Sequence, residues 1–147
     1  MTPETKPTKI YLACPYSAPE FSLRELRARI ASRVAAFFMS RGHVVFSPIT
    51  HGHEIAEFLP PALAYDHDFW MAQCLPMLES CDVLVVVPLA GWEHSRGVAA
   101  ERAVVKDLCL AEVFWSLNSP TALLTDYRGQ ALADQSLLTP TTHSIEA

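Results

Sequence analysis

The stretch Val83-Leu84-Val85-Val86-Val87-Pro88-Leu89-Ala90-Gly91-Trp92-Glu93-His94-Ser95-Arg96-Gly97-Val98-Ala99-Ala100-Glu101 decides the fold. Its first five residues are apolar on both faces and almost all β-branched, which predicts a strand at the centre of a sheet covered on both sides. Glycine, aromatic and polar residues break that strand into a loop. Ser95-Arg96-Gly97 then lead into a helix expected to reach about Leu110. A buried strand that opens into such a loop and restarts as a helix is where open α/β sheets place ligands, just beyond the strand's carboxyl end. One acid, Glu101, falls inside the helix start.

Upstream, Lys9-Ile10-Tyr11-Leu12-Ala13-Cys14 is a short apolar run stopped by Pro15 and suits a buried first strand. From Glu20 to Arg41, Leu23, Leu26, Ile30, Val34, Phe37 and Phe38 recur at spacings of three and four, with arginines on the other faces. This pattern predicts an amphipathic helix, and Gly42 suits a left-handed cap at its end. His43–Ser47 reads as strand two, with Pro48 closing it. Residues 48–54 read as a polar, histidine-rich loop, and 55–66 give no clear element. A further helix is expected from about Asp66 to Ser80. Pro76 in its interior would cost about 3 kcal/mol, so a kink or restart is expected there. Glu112–Leu117 reads as strand four. The tail after Pro120 fits a short helix, an edge strand or a partner-binding arm.

The alternation predicts a three-layer α/β fold with a mainly parallel sheet of four or five strands. The expected strand order is flavodoxin-like, a Rossmann-like arrangement with strand one near the centre. Residues 1–8 form a flexible lead-in, 9–120 a single domain and 121–147 a tail.

The 147 residues are half hydrophobic and 18% charged, as expected of one globular domain. Eleven basic and 16 acidic residues leave a net charge of −5, which argues against a nucleic-acid surface. The longest apolar runs fall short of the roughly 20 residues of a membrane helix, and the amino terminus lacks a signal-peptide core. A cytoplasmic protein with no membrane partner is therefore expected. Cys14, Cys74, Cys81 and Cys109 show no Cys-x-x-Cys spacing and read as reduced, mostly buried thiols.

Ser95, Arg96, Gly97 and the N–H groups of the helix start could hold phosphate or another small anion. An ordinary capped helix with Ser95 as N-cap is the competing explanation. The phosphate-loop and dinucleotide glycine fingerprints are both absent, and no cofactor is indicated. Glu101 stands at helical spacing from Val98 and Val105, so it is either a solvated helix acid or a nucleophile facing the sheet edge. His51 and His53 lack a third metal ligand at any standard spacing, and lining a substrate pocket suits them better. Trp70 and Trp92 flank the same region, and Trp92 could serve as a platform for a flat base. Tyr11 lies mid-strand, its ring in the core and its hydroxyl in need of a partner. Asp82 opens strand three in a structural position.

Several pieces taken together resemble the nucleoside 2-deoxyribosyltransferase superfamily, which includes 2′-deoxynucleoside 5′-phosphate N-hydrolases and CMP hydrolases. They are Tyr-Leu-Ala-Cys-Pro-Tyr-Ser (11–17), Ser-Pro-Ile-Thr-His-Gly-His (47–53), Cys-Asp-Val-Leu-Val-Val (81–86) and Ser95-x-Gly97-x-x-x-Glu101. The resemblance spans roughly residues 9–117. It implies that Glu101 attacks C1′ of a sugar to give a covalent glycosyl-enzyme, with Tyr11 orienting it. It also implies that Ser95, with Arg96 and Gly97, meets a 5′-phosphate where nucleoside transferases carry an aspartate. Cys14 and Pro15 fall in the first motif and count with His51, His53 and Trp92 as substrate-binding residues.

The family's usual aspartate, eight residues before the acid opening strand three, is replaced here by Cys74. Asp68 or Asp66 would then have to supply the carboxylate. A homodimer or higher homo-oligomer is implied, a neighbouring subunit completing the site near Asn118 and Ser119. The expected activity is hydrolysis of the base–sugar bond of a nucleoside 5′-monophosphate. The alternatives are a base-exchanging transferase and a non-catalytic nucleotide sensor, the latter motivated by Cys74.

Overall fold

The computed structural model describes residues 7–115. Residues 1–6 of the lead-in, Asn118, Ser119 and the tail at 121–147 lie outside the described residues. Four parallel strands, β1 (Lys9–Ala13), β2 (Val44–Phe46), β3 (Val83–Val86) and β4 (Ala111–Phe114), form one sheet in the order β2-β1-β3-β4. Strand one therefore sits inside the sheet, beside β3. The helices are α1 (Phe21–Ser40), α2 (Pro48–Ala56), α3 (Pro61–Ala64), α4 (His67–Glu79) and α5 (Arg96–Asp107).

Strand parity divides the core into two layers. Ile10, Leu12, Val83 and Val85 face one way and pack with Ala31, Val34 and Phe38 of α1 and with Trp115. Tyr11, Ala13, Leu84 and Val86 face the other way and pack with Cys74 and Leu78 of α4 and Val98 and Val105 of α5. The chain steps from β1 outward to β2, then back across β1 to β3. With right-handed crossovers, that reversal puts α1 on one face and α4 and α5 on the other. The reversal leaves a crevice at the carboxyl ends of β1 and β3. At the opposite end the two central strands are tied reciprocally: Lys9 N donates to Asp82 Oδ2 at 2.9 Å, and Asp82 N donates to the Lys9 carbonyl at 2.8 Å.

Gly42, at φ +88°, follows α1 as the expected left-handed cap residue. Residues 48–54, expected as a loop, are instead the body of α2. Ser47 is extended and accepts a hydrogen bond from Thr50 N, and Pro48 occupies the first turn, where its missing N–H has no intrahelical partner to lose. The proline that ends β2 thus also starts a helix. Helix α4 runs through Pro76 without a break, with the proline in its last turn. Strand β4 ends at Phe114, before the expected Leu117, and Trp115 beyond it is fully buried.

Leu84, at 0% exposure in the central strand, tests this layering. Leu84→Ala is expected to lower unfolding free energy by about 2–5 kcal/mol in urea denaturation. A loss below about 1 kcal/mol would contradict its place in the core.

Candidate active site

A cavity of about 650 Å³ opens at the carboxyl edge of the sheet, with Cys14, Pro48, Ser95 and Glu101 among its lining residues. Ser95 has an extended backbone and its Oγ accepts from Val98 N at 3.2 Å, so it does act as the N-cap of α5. Ser95, Arg96 and Gly97 all line the cavity. The first N–H groups of α5 lie beyond the reach of intrahelical carbonyls and point toward this end of the cavity.

Glu101 lies on the same apolar stripe of α5 as Val98 and Val105 and is 4% exposed. It is not a solvated helix acid. Burial pushes its carboxyl up to about 8, while the nearby Tyr11 hydroxyl acts in the opposite direction. Parity in β1 turns Tyr11 toward α4 and α5, beneath Glu101 and Cys74. Its hydroxyl is fully buried and completes no hydrogen bond of good geometry, although Glu101 and Cys74 are both near enough to influence it. We read this as a close contact rather than a formed bond. The rotatable O–H is then free to turn to Glu101 when that carboxyl loses its proton. Burial, with Glu101 beside it, also raises the Tyr11 phenol and the Cys14 thiol far above their ordinary values.

Cys74 is 3% exposed, lines the cavity and reaches the Tyr11–Glu101 pair from α4, which explains its coupling to both. Its thiol is pushed up to about 11, chiefly by burial, so it stays protonated at neutral pH. Neither candidate substitute carboxylate is in the cavity. Asp66 caps α4 by accepting from Phe69 N at 3.2 Å, and Asp68 is exposed on the first turn of that helix. Among the described lining residues Glu101 is the one carboxylate, and three guanidiniums, Arg24, Arg27 and Arg96, line the same cavity.

The two histidines of the 47–53 motif part company. Two residues apart on α2, they project from different sides of the helix: His51 is exposed outside the cavity against Phe46, while His53 lines it. Trp92 belongs to a single 3-10 turn (Trp92–His94), and its ring packs edge-on against Phe114 with the Arg102 guanidinium nearby. That packing holds it outside the cavity, so it is no base platform in this structure. Trp70 is the tryptophan that lines the cavity, its ring lying on Gly52 and its Nε1 donating to the Ala64 carbonyl at 2.8 Å. A Cβ on residue 52 would stand 3.1 Å from that ring, so the glycine lets α2 approach it.

Cys14 and Pro15 line the cavity together with Tyr16 of the same motif and with Arg24 and Arg27, which lie outside the motifs. Arg24 and Arg27 donate to the carbonyls of Ala18 and Pro19, and of Tyr16 and Ser17. Arg27 also reaches the Ala90 carbonyl at 3.0 Å and so joins the loops after β1 and β3. Their placement in the first two turns of the helix after β1, at the carboxyl edge, was a usable signal.

The chain shares its fold with the 2-deoxyribosyltransferase from Bacillus psychrosaccharolyticus. The two are 21% identical over 74% of this chain and 72% of that one, with a TM-score of 0.53. The 2-desoxiribosyltransferase from Leishmania mexicana is 16% identical over 87% and 79% of the two chains, at a TM-score of 0.47. No curated protein matches the sequence. Residues 8–116 match the family described as Domain of unknown function (DUF1937), and the chain belongs to that family. No described helix is long and apolar enough to cross a membrane.

Glu101 also makes stability depend on pH. With a native pKa near 8 against an ordinary 4.5, the native state retains between those values a proton that the unfolded chain releases. Its contribution is fully present below about pH 4.5 and is lost as pH rises toward 8, at up to about 1.4 kcal/mol per pH unit. In urea melts at pH 5 and pH 8, Glu101→Gln is expected to lose less stability over that interval than wild type. Parallel profiles for the two proteins would refute the buried-acid assignment.

Proposed function

We propose that this protein is an N-glycosidase that hydrolyses the bond between base and sugar of a nucleoside 5′-monophosphate. The observation that carries the proposal is the single buried carboxyl, Glu101, in a cavity at the sheet's topological switch point, with Tyr11 beneath it and a cationic, N–H-rich rim at the start of α5. Attack on C1′ needs a carboxylate that approaches opposite the leaving base. Glu101, once deprotonated, can form the ester to C1′, and Tyr11 can donate to its second oxygen and hold it in line. The phosphate fits at Ser95, Arg96 and Gly97, where backbone N–H groups and a guanidinium complement it. A serine at position 95 adds no charge of its own to repel that phosphate. The fold shared with a 2-deoxyribosyltransferase is consistent with such glycosyl chemistry.

Water resolves the intermediate in this proposal, whereas a second base would do so in a transferase. A homo-oligomer in the cytoplasm accompanies the proposal, and the four free thiols suit a reducing compartment. A nucleotide sensor without turnover is favoured by one observation, the Cys74 thiol in place of a second carboxylate.

Incubation with ribo- and deoxyribonucleoside 5′-monophosphates, followed by chromatography, should show free base. Glu101→Gln should lower the rate by on the order of 10⁴-fold or more, the scale of losing a nucleophile. Equal release by that variant, or none by wild type, would sink the hydrolase. Tight binding without release would identify the sensor, and turnover only with added free base the transferase.

A further inference from the structure

Cleavage of an N-glycosidic bond needs a second group that delivers a proton to the departing base as the nucleophile attacks. The cavity holds no second carboxylate among its described lining residues, and the Cys74 thiol at about 11 is a weak donor at neutral pH. Three histidines line the cavity, His53, His67 and His94. His67 and His94 make no side-chain hydrogen bond to any described residue, and His94 is exposed beside the anion-binding end of α5.

His53 is held differently. Its Nδ1 lies 2.6 Å from Tyr16 Oη. Its ring stacks on Phe21 at 5.9 Å between centroids and meets the Tyr16 ring edge-on. The neighbouring Gly52 lets α2 lie against Trp70, which fixes the backbone from which His53 projects. A histidine with one ring nitrogen tied to a hydroxyl presents the other, Nε2, in a defined direction. Nε2 has no hydrogen-bond partner among the described residues.

We propose that His53 is the proton donor to the leaving base and that Tyr16 is its positioning residue, completing the site that Glu101 begins. This rests on the N-glycosidase proposal. In the reactive form His53 is an imidazolium whose Nδ1–H donates to Tyr16 Oη, and Glu101 is a carboxylate. A Glu101 oxygen forms its bond to C1′ while the C1′–N bond breaks. The electron pair of that bond goes to the base, which takes the Nε2 proton. Neutral His53 then accepts a proton from the water that attacks the glycosyl ester, which frees Glu101 and restores the imidazolium.

The test uses leaving groups that differ in their need for a proton, guanosine 5′-monophosphate and 7-methylguanosine 5′-monophosphate. The cationic 7-methylated base departs neutral without protonation. His53→Gln should lower release of guanine by about 10²–10⁴-fold, the usual worth of a general acid, and change release of 7-methylguanine by less than about threefold. Tyr16→Phe should show a smaller loss with the same selectivity, and Glu101→Gln should abolish both reactions. Equal losses on both substrates for His53→Gln, in a variant whose thermal melt matches wild type, would overturn the assignment and leave the N-glycosidase standing. If His53→Gln fails to fold, Tyr16→Phe carries the comparison, and an unselective effect there overturns the proposal. Cleavage of neither substrate by wild type would overturn the proton-donor assignment, and the N-glycosidase falls with it only when no other nucleoside 5′-monophosphate is cleaved.

Discussion

Everything at this site depends on one carboxyl placed in an apolar stripe. Glu101 takes the position on α5 where Val98 and Val105 set the pattern, and the helix packs it against the sheet as it packs them. A buried carboxyl without a cation beside it keeps its proton, because desolvation penalises the charged form. The value near 8 expresses that cost. Such a group persists only because the rest of the layer is good enough to carry it. Tyr11, Leu84, Val86 and Leu78, each fully buried, supply the apolar contacts around it. The strand order then determines what Glu101 can meet. With β1 beside β3, Tyr11 pairs in register with Leu84 and comes to lie beneath Glu101.

On the proposed reading, an anion site and a nucleophilic carboxylate share one cavity, which would pose an electrostatic problem that the helix eases by distance. Gly97 and Ser95 lie at the start of α5 and Glu101 six residues beyond the cap, a rise of roughly 9 Å along the axis. The favourable end of the helix dipole is available to the phosphate, while the carboxyl sits where the dipole has faded. Arg24 and Arg27 add positive charge from the opposite wall, although part of each guanidinium is committed to loop carbonyls. Their dual use ties the shape of the loop after β1 to the charge of the cavity. A bound anion would therefore tighten the same hydrogen bonds that hold the loop.

Much of the fold was legible because its signals are periodic. The apolar run at 83–87, the three-and-four spacing of α1 and the glycine at 42 each act through local geometry, and each element is where its pattern puts it. What was not legible depends on a choice between two local meanings. Pro48 reads equally as the end of a strand or the first residue of a helix, and the Ser47 hydroxyl decides between them through one hydrogen bond to Thr50. That single decision separates His51 from His53, since residues two apart on a helix are turned by about 200° and so lie on nearly opposite sides, whereas a loop constrains neither. Trp92 was misread for a similar reason. Its loop closes into a 3-10 turn whose geometry carries the ring to Phe114, a partner distant in sequence that no local pattern reveals. Glu101 shows the reverse. Its spacing from Val98 and Val105 contained the burial, but residue type alone argued for solvent.

The thiol at position 74 links these threads. A carboxyl there would share Glu101's apolar surroundings, and two like acids at close range cannot both ionise, so one would be driven far up. A thiol held near 11 remains neutral and adds no such coupling, which leaves Glu101 raised by burial and not by a charged neighbour. On the proposed reading, a thiol in place of a second acid simplifies the nucleophile and leaves no carboxyl at this position to deliver a proton to the base. The groups able to fill that need must come from other elements that converge on the cavity. The loop after β1 and the helix started by Pro48 are two that do, and they meet at Tyr16 and His53. If His53 acts as proposed, the unforeseen helix is part of the site's chemistry, because α2 is the element that carries His53 to the cavity wall.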